Sequence, residues 1–215
     1  MKLEYVVGSP NCRKVHAVID HLGLEDVELE YLDFFAGDLR SDAYSALNPN
    51  SMVPTLIDGD FKLWESNAIN VYLASRTSTP LFPVDGRARA DVLRWLCWEL
   101  AHYNRALGVL AFEGVAKPAL MKMQPDAAAI EIARRDLERF APVLERHLTG
   151  RRHMVGDDVT LADYAVGHLE GFKGLVPFDW KPYPAINDYY EQLADNPHWV
   201  ATAPRDPQSI GRRPN

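Results

Sequence analysis

Leu3, Tyr5 and Val7 alternate with polar or small neighbours, and this period of two predicts a first strand, broken by Gly8, Ser9 and Pro10. From Cys12 to Leu22 the apolar positions Val15, Val18, Ile19 and Leu22 recur at helical spacing, and Gly23 supplies a stop. Alternation returns from Val27 to Phe34, a second strand. Ser41 and Asp42 then suit the start of a short helix ending before Asn48-Pro49. Thr55–Ile57 and Phe61–Trp64 flank Asp58-Gly59-Asp60, where Asp-Gly signals a tight hairpin. Ser66 reads as the cap of a helix running to about Ser75. The order is βαβαββα, an α/β domain over residues 1–76.

Residues 77–87 carry prolines and a glycine without periodicity and read as a linker. Beyond them the pattern is helical throughout. Val92, Leu93, Leu96, Cys97, Leu100, Leu107 and Leu110 follow one helix repeat, and Ile130, Ala133, Leu137, Phe140, Val143, Leu144 and Leu148 another. Thr160 and Asp163 have the spacing of a helix-opening capping box, and Tyr183 to Leu193 forms a further amphipathic segment. An all-helical second domain over residues 88–215 is expected, its last dozen residues a tail.

Composition narrows the function. The chain has 215 residues, 47% of them hydrophobic, and a net charge of -7 that disfavours nucleic acid as a partner. No apolar run approaches the ~20 residues of a membrane span and no signal-peptide stretch opens the sequence, so a cytoplasmic protein is expected, without membrane attachment. Two cysteines, Cys12 and Cys97, are too few for a disulfide framework, and both are expected to be buried. The seven histidines fall in no ligand spacing, and no metal is expected.

The chemistry concentrates at the junctions of the first domain. Ser9-Pro10-Asn11-Cys12 lies at a strand-to-helix turn, where backbone N–H groups and the helix dipole stabilise an anion or thiolate. A C-x-x-C motif at this place would mark a thioredoxin-like redox site, but its first cysteine is here Ser9. A serine forms no mixed disulfide, so the reactive sulfur has to come from a ligand, with the hydroxyl donating to its thiolate. Val53-Pro54, at a loop-to-strand junction, is a candidate cis peptide whose Val53 main chain can pair with an extended peptide. Glu65-Ser66 offers a carboxylate for an ammonium group and a helix start for a carboxylate. Taken singly, each has an ordinary structural explanation: a cap, a strand-edge proline, local capping. On successive junctions of one small domain, they fit a tripeptide.

In these motifs, SPNCRKV, NPNSMVPTL, DGDFKLWESNAI and VGDDVTLADY, the chain resembles the cytosolic glutathione transferases, of a serine-type, theta-like or nu-like bacterial kind. The resemblance spans nearly the whole chain. It implies a thioredoxin-like N-terminal domain, a helical C-terminal domain, a homodimer, and glutathione as co-substrate for conjugation to an apolar electrophile. By motif position it makes Ser9 the thiol-activating residue, with Asn11 a second catalytic candidate. It assigns Met52, Val53, Pro54, Glu65 and Ser66 to glutathione binding. Family members often carry a histidine after the second strand and a lysine or arginine before the proline, where Leu39 and Met52 stand here. Arg40 is the nearest replacement cation for the glycyl carboxylate. Trp98, His102, Tyr103 and Phe112 are candidates for the second-substrate pocket, because large rings suit an apolar electrophile. The alternatives are a glutathione-dependent disulfide reductase, to which Asn11 points, a dehalogenase or ether-cleaving enzyme, and a non-catalytic binding module.

Overall fold

The structure, a computed structural model, describes residues 1–214. Their contacts form two units, one of residues 1–82 together with the described residues from Asn196 onward, the other Pro83–Asp195.

The first unit is built on a four-stranded sheet of order β2-β1-β3-β4. Its strands are β1 (Lys2–Tyr5), β2 (Glu28–Tyr31), β3 (Thr55–Asp58) and β4 (Phe61–Trp64). β1 runs parallel to β2, with Leu3 opposite Leu29, and antiparallel to β3, with Leu3 also opposite Leu56. β3 returns into β4 through Gly59, whose φ of 60° is the conformation the Asp-Gly signal anticipates. Helices α1 (Pro10–Leu22), α2 (Asp42–Leu47) and α3 (Ser66–Ser75) complete the βαβαββα order. Alternation along β1 divides the core by face. Leu3, Tyr5 and Val7 pack with Val15 and Ile19 of α1 and Ile69 and Leu73 of α3. Val6 packs on Leu32, Leu39 and Tyr44. This is the expected thioredoxin-like domain.

Helix ends are fixed by local chemistry. Gly23 closes α1 at φ 62°, its N–H donating to Asp20 and Ile19 carbonyls. The Ser41 hydroxyl accepts from Tyr44 N at 3.2 Å to open α2. A short 3₁₀ turn, Asp38–Arg40, precedes it, a feature the alternation did not reveal.

The second unit is helical, as expected. Its helices are α4 (Gly86–Trp98), α5 (Asn104–Ala111), α6 (Lys117–Met121), α7 (Ala127–Leu148), α8 (Leu161–Gly167) and α9 (Pro184–Ala194). The helix repeat read through residues 92–110 is interrupted by a π-helical turn, Glu99–Tyr103, and a second lies at Phe112–Ala116. At the first, the fully buried Glu99 carboxylate accepts from Asn104 Nδ2 at 2.7 Å. The Thr160–Asp163 box forms: the buried Asp163 carboxylate accepts from Thr160 N (2.8 Å), Thr160 Oγ1 (2.9 Å) and Met154 N (2.8 Å).

One expectation fails here. Cys97 is exposed, because its turn of α4 puts it off the buried stripe of Val92, Trp95 and Leu96. Residues from Asn196 onward, read from the sequence as the end of the 88–215 helical domain and its tail, make their contacts with the first unit. There α10 (Pro197–Ala201) packs on α1, with Trp199 fully buried and the Arg13 guanidinium 4.0 Å from its ring centre. Gly211 N donates to Val7 O at 2.9 Å and Phe34 N to Gly211 O at 2.8 Å, so the segment returns to the ends of β1 and β2. Gly211 approaches the Phe35 ring closely, and the Arg212 guanidinium lies 5.0 Å from the centre of the same ring.

Candidate functional site

Ser9 is the N-cap of α1, with φ -72° and ψ 119°. Its position is set by the strand–turn–helix sequence. Gly8 takes φ 81°, Ser9 N donates to Val6 O at 3.1 Å, and Arg13 N donates to Ser9 O at 3.0 Å. The Ser9 hydroxyl accepts a long contact from Cys12 N, 3.4 Å, and stands at the positive end of a thirteen-residue helix. Cys12 itself is fully buried, and burial pushes its thiol up to about 11 against the lowering effect of Ser9. At neutral pH it is a thiol in an apolar core.

Asn11 and Ser66 meet. Ser66 Oγ donates to Asn11 Oδ1 at 3.1 Å, joining the starts of α1 and α3 across 55 residues of sequence. This bond leaves the NH2 of the exposed Asn11 amide without an acceptor among the described residues, two residues after Ser9. Beneath it the fully buried Lys14 donates from Nζ to Asn67 Oδ1 at 2.7 Å, a second tie between the same two helices. Sequence reasoning missed this pair. The one visible signal was a lysine on the apolar face of α1.

Ser66 is the first residue of α3 rather than its cap. Glu65 occupies the cap position at φ 70° and makes no side-chain capping bond. A non-glycine residue there costs of order 1–3 kcal/mol, and the strain leaves the Glu65 carboxylate exposed beside Ser66 and the α3 N-terminus.

The Val53–Pro54 peptide is cis, as the loop-to-strand position suggested. Among the described residues the N–H and C=O of Val53 make no hydrogen bond, whereas the loop around them is tied down. Tyr44 Oη donates to Met52 O at 2.6 Å and Asn48 Nδ2 donates to the same oxygen at 2.8 Å. Both also reach Thr55 Oγ1, at 3.0 and 3.1 Å. Tyr44, Asn48 and Thr55 are buried, and burial pushes the Tyr44 phenol up to about 12, so it remains a donor. No spacing rule marks this network.

The remaining residues are less gathered. Met52 contributes its carbonyl to that network while its side chain is 67% exposed. Leu39 is buried against Val6 and Leu32 and serves the core. Arg40, at the end of the 3₁₀ turn, is exposed and its side chain has no partner among the described residues.

Of the four rings expected to line a second-substrate pocket, Tyr103 is withdrawn. It is fully buried, with its hydroxyl 2.8 Å from that of Tyr190, and presents no surface. Trp98 stacks on it at 5.7 Å, and His102 stacks on Phe140 at 4.6 Å. Phe112 is exposed at the start of the second π-helical turn. No group of three or more metal-ligating side chains occurs among the described residues, and no helix among them is long and apolar enough to cross a membrane.

The first unit thus presents a serine at the turn before α1, a Val53 main chain unpaired among the described residues at a cis-proline loop, and polar groups at the start of α3. Residues 8–76 match the family model of the glutathione S-transferase N-terminal domain, and 113–201 that of the C-terminal domain. Glutathione S-transferase 3 of Zea mays is 36% identical over 166 residues, 76% of this chain and 73% of its own length. Glutathione S-transferase GstB of Escherichia coli (strain K12) is 32% identical over 200 residues, 88% of this chain and 92% of its own. The crystal structure of the glutathione transferase URE2P6 from Phanerochaete chrysosporium, in complex with oxidized glutathione, superposes with a TM-score of 0.81 at 28% identity, over 94% of this chain and 93% of that one. The chain belongs to the glutathione S-transferase family, and with relatives so named at these identities it is an enzyme of that family.

Proposed function

We propose that this protein binds glutathione on its first unit and transfers the thiolate to an electrophilic carbon of an apolar small molecule. The observation that carries the reading is the pairing of Ser9 with Cys12. A hydroxyl with a proton to give stands at a helix N-terminus, while the protein's own nearby sulfur is buried and protonated, so the nucleophile is the ligand's.

In this reading glutathione lies extended across three junctions. Ser9 donates to the sulfur, with the Asn11 amide as a second donor. The Val53 main chain pairs with the cysteinyl residue beside Pro54. Glu65 takes the γ-glutamyl ammonium, and Ser66 with the α3 N-terminus takes its carboxylate. Arg40 takes the glycyl carboxylate in place of the cation that Met52 does not supply. With an aryl chloride the thiolate attacks the ring carbon that bears chlorine, a C–S bond forms, and chloride leaves with the C–Cl electron pair. Trp98, His102 and Phe112 are the proposed contacts for the electrophile. A serine-type subclass is supported by Ser9, and the plant and bacterial relatives favour conjugation over reductase, dehalogenase or non-catalytic readings. A homodimer is the proposed assembly, as is typical of the family, and exposed Phe61 and Trp64 on edge strand β4 offer apolar surface for it.

The test is turnover of chlorodinitrobenzene with glutathione by the wild type and by Cys12→Ala. Both should be active, with glutathione binding detected by calorimetry. Abolition of turnover in a folded Cys12→Ala protein, or a wild type that binds no glutathione at millimolar concentration, would overturn the proposal.

A further inference from the structure

The turn that carries Ser9 is supported from the far end of the chain. Gly8 has φ 81°, outside both strand and helix conformations, so neither β1 nor α1 by itself fixes the direction in which Ser9 leaves the sheet. Locally, Ser9 N donates to Val6 O at 3.1 Å and Arg13 N to Ser9 O at 3.0 Å. The remaining support is distant in sequence. Gly211 N donates to Val7 O at 2.9 Å, immediately before the turn. The Ile210 side chain lies on Gly8 itself, so close that a Cβ at Gly8 would stand 2.8 Å from Ile210 Cγ2. Beyond the turn, the Arg13 guanidinium donates to Trp199 O at 2.8 Å and lies 4.0 Å from the centre of that residue's ring.

The C-terminal segment is itself anchored away from Ser9. Trp199 is fully buried, its N–H donates to Asn196 Oδ1 at 3.1 Å, and its carbonyl accepts from Thr202 Oγ1 at 3.1 Å. His198 Nδ1 lies 2.7 Å from the Asp20 carboxylate. At the other end Gly211 O accepts from Phe34 N at 2.8 Å, and Arg213 pairs with Asp38 at 3.0 Å. The contacts on Val7, Gly8 and Arg13 therefore come from a fixed body and not from a loose end. Glycine at position 8 meets two demands at once, a positive φ and the room that Ile210 occupies. Placement matters here because a donor to an anion acts within about 0.5 Å and 10–20° of its productive geometry. A misplacement of about 1 Å can cost about 100-fold in rate.

We propose that Arg13 and Ile210 are positioning residues for the reaction: through them the C-terminal segment clamps the Val7–Ser9 turn and aims the Ser9 hydroxyl at the bound sulfur. The proposal rests on the reading of Ser9 as the donor to the glutathione thiolate, and it makes that donor's aim depend on residues from the opposite end of the chain. The clamp acts on thiolate stabilisation more than on glutathione affinity, because Val53, Glu65 and Ser66 lie outside the clamped turn.

Ile210→Ala removes the contact on Gly8 and leaves the Gly211 hydrogen bond in place. In this variant the thiol of bound glutathione, followed by its ultraviolet thiolate absorbance, should titrate about one pH unit higher than in the wild type. Turnover of chlorodinitrobenzene at neutral pH should fall about tenfold, with the calorimetric Kd for glutathione changed by less than about threefold. Ile210→Val, which keeps the branched contact, should titrate with the wild type, and Arg13→Gln should shift in the same direction as Ile210→Ala. A second readout needs no glutathione. Cys12 is fully buried beside the turn, so in a Cys97→Ser background its alkylation by iodoacetamide reports opening of the turn. Ile210→Ala should be alkylated about tenfold faster than the wild type, with little dependence on dilute urea, as local opening requires. A thiolate titration or a Cys12 alkylation rate in Ile210→Ala that coincides with the wild type would overturn the proposal. A wild type that binds no glutathione overturns the glutathione reading and the positioning role with it, and the alkylation rates tell that outcome apart from failure of the clamp.

Discussion

Replacing Ser9 by alanine removes the hydroxyl from the α1 N-cap and leaves the helix terminus in place. The hydroxyl accepts a contact of 3.4 Å from Cys12 N, too long to hold much of its hydrogen-bonding capacity, so what the variant loses at the site is a donor to the bound thiolate. A hydrogen bond to a charged group contributes about 1.5–3 kcal/mol, against about 0.3–1 kcal/mol from the remaining helix end. At about 1.4 kcal/mol per pKa unit, the thiol of bound glutathione should rise by roughly 1–2 units. The sign follows: at neutral pH less thiolate is present, so the second-order rate constant for the electrophile at saturating glutathione falls about 10- to 100-fold. Activity recovers as pH is raised through the new pKa. Two readouts separate this from a folding defect, since loss of the cap costs only about 1 kcal/mol of stability. The ultraviolet absorbance of bound thiolate should shift to higher pH together with the rate profile, and glutathione should still bind. A Ser9→Ala protein whose rate profile and thiolate titration coincide with the wild type would refute the assignment of thiolate stabilisation to Ser9.

Three other outcomes are expected. Arg40→Ala should raise the calorimetric Kd for glutathione about tenfold with little change in kcat, because the guanidinium would bind a carboxylate remote from the sulfur; an unchanged Kd removes it from the site. Asp163→Ala leaves Met154 N and Thr160 N without their buried acceptor and should lower stability by roughly 3 kcal/mol in urea unfolding. Cys12 is held above its ordinary value, up to about 11, so its contribution is complete below the unfolded thiol's pKa and is lost as pH rises toward the folded one. Between neutral pH and about pH 10 the wild type should lose on the order of 1 kcal/mol more than Cys12→Ala, measured as the change in urea midpoint.

The strands, the helices and the backbone geometry at Ser9 and Val53-Pro54 were legible because local rules govern them. Alternation at Leu3, Tyr5 and Val7 reports a strand whichever partner it finds, Gly23 reports a left-handed stop, and Asp58-Gly59 a tight turn. Ser9 and Val53-Pro54 were legible for the same reason, since a helix N-cap and a proline at a strand start are set by nearest neighbours. What failed involved burial. Tyr103 and Cys97 both lie on a helical repeat, but which positions of a helix face solvent depends on what packs against it. The π-helical turn after Trp98 moves the stripe as well, and periodicity does not encode it.

The amino-acid order alone determined the βαβαββα arrangement, the helical second half, and a serine where a redox enzyme would carry cysteine. Tertiary structure decided the rest. Folding alone brings Asn11 to Ser66 and Lys14 to Asn67. It also ties Tyr44, Asn48 and Thr55 beneath Val53, and returns the segment after Asn196 to β1. Each of these is a contact between side chains or strands that local preference leaves unpaired. Burying them away from water makes an unmet polar group costly, and so selects the partner that the chain order does not name.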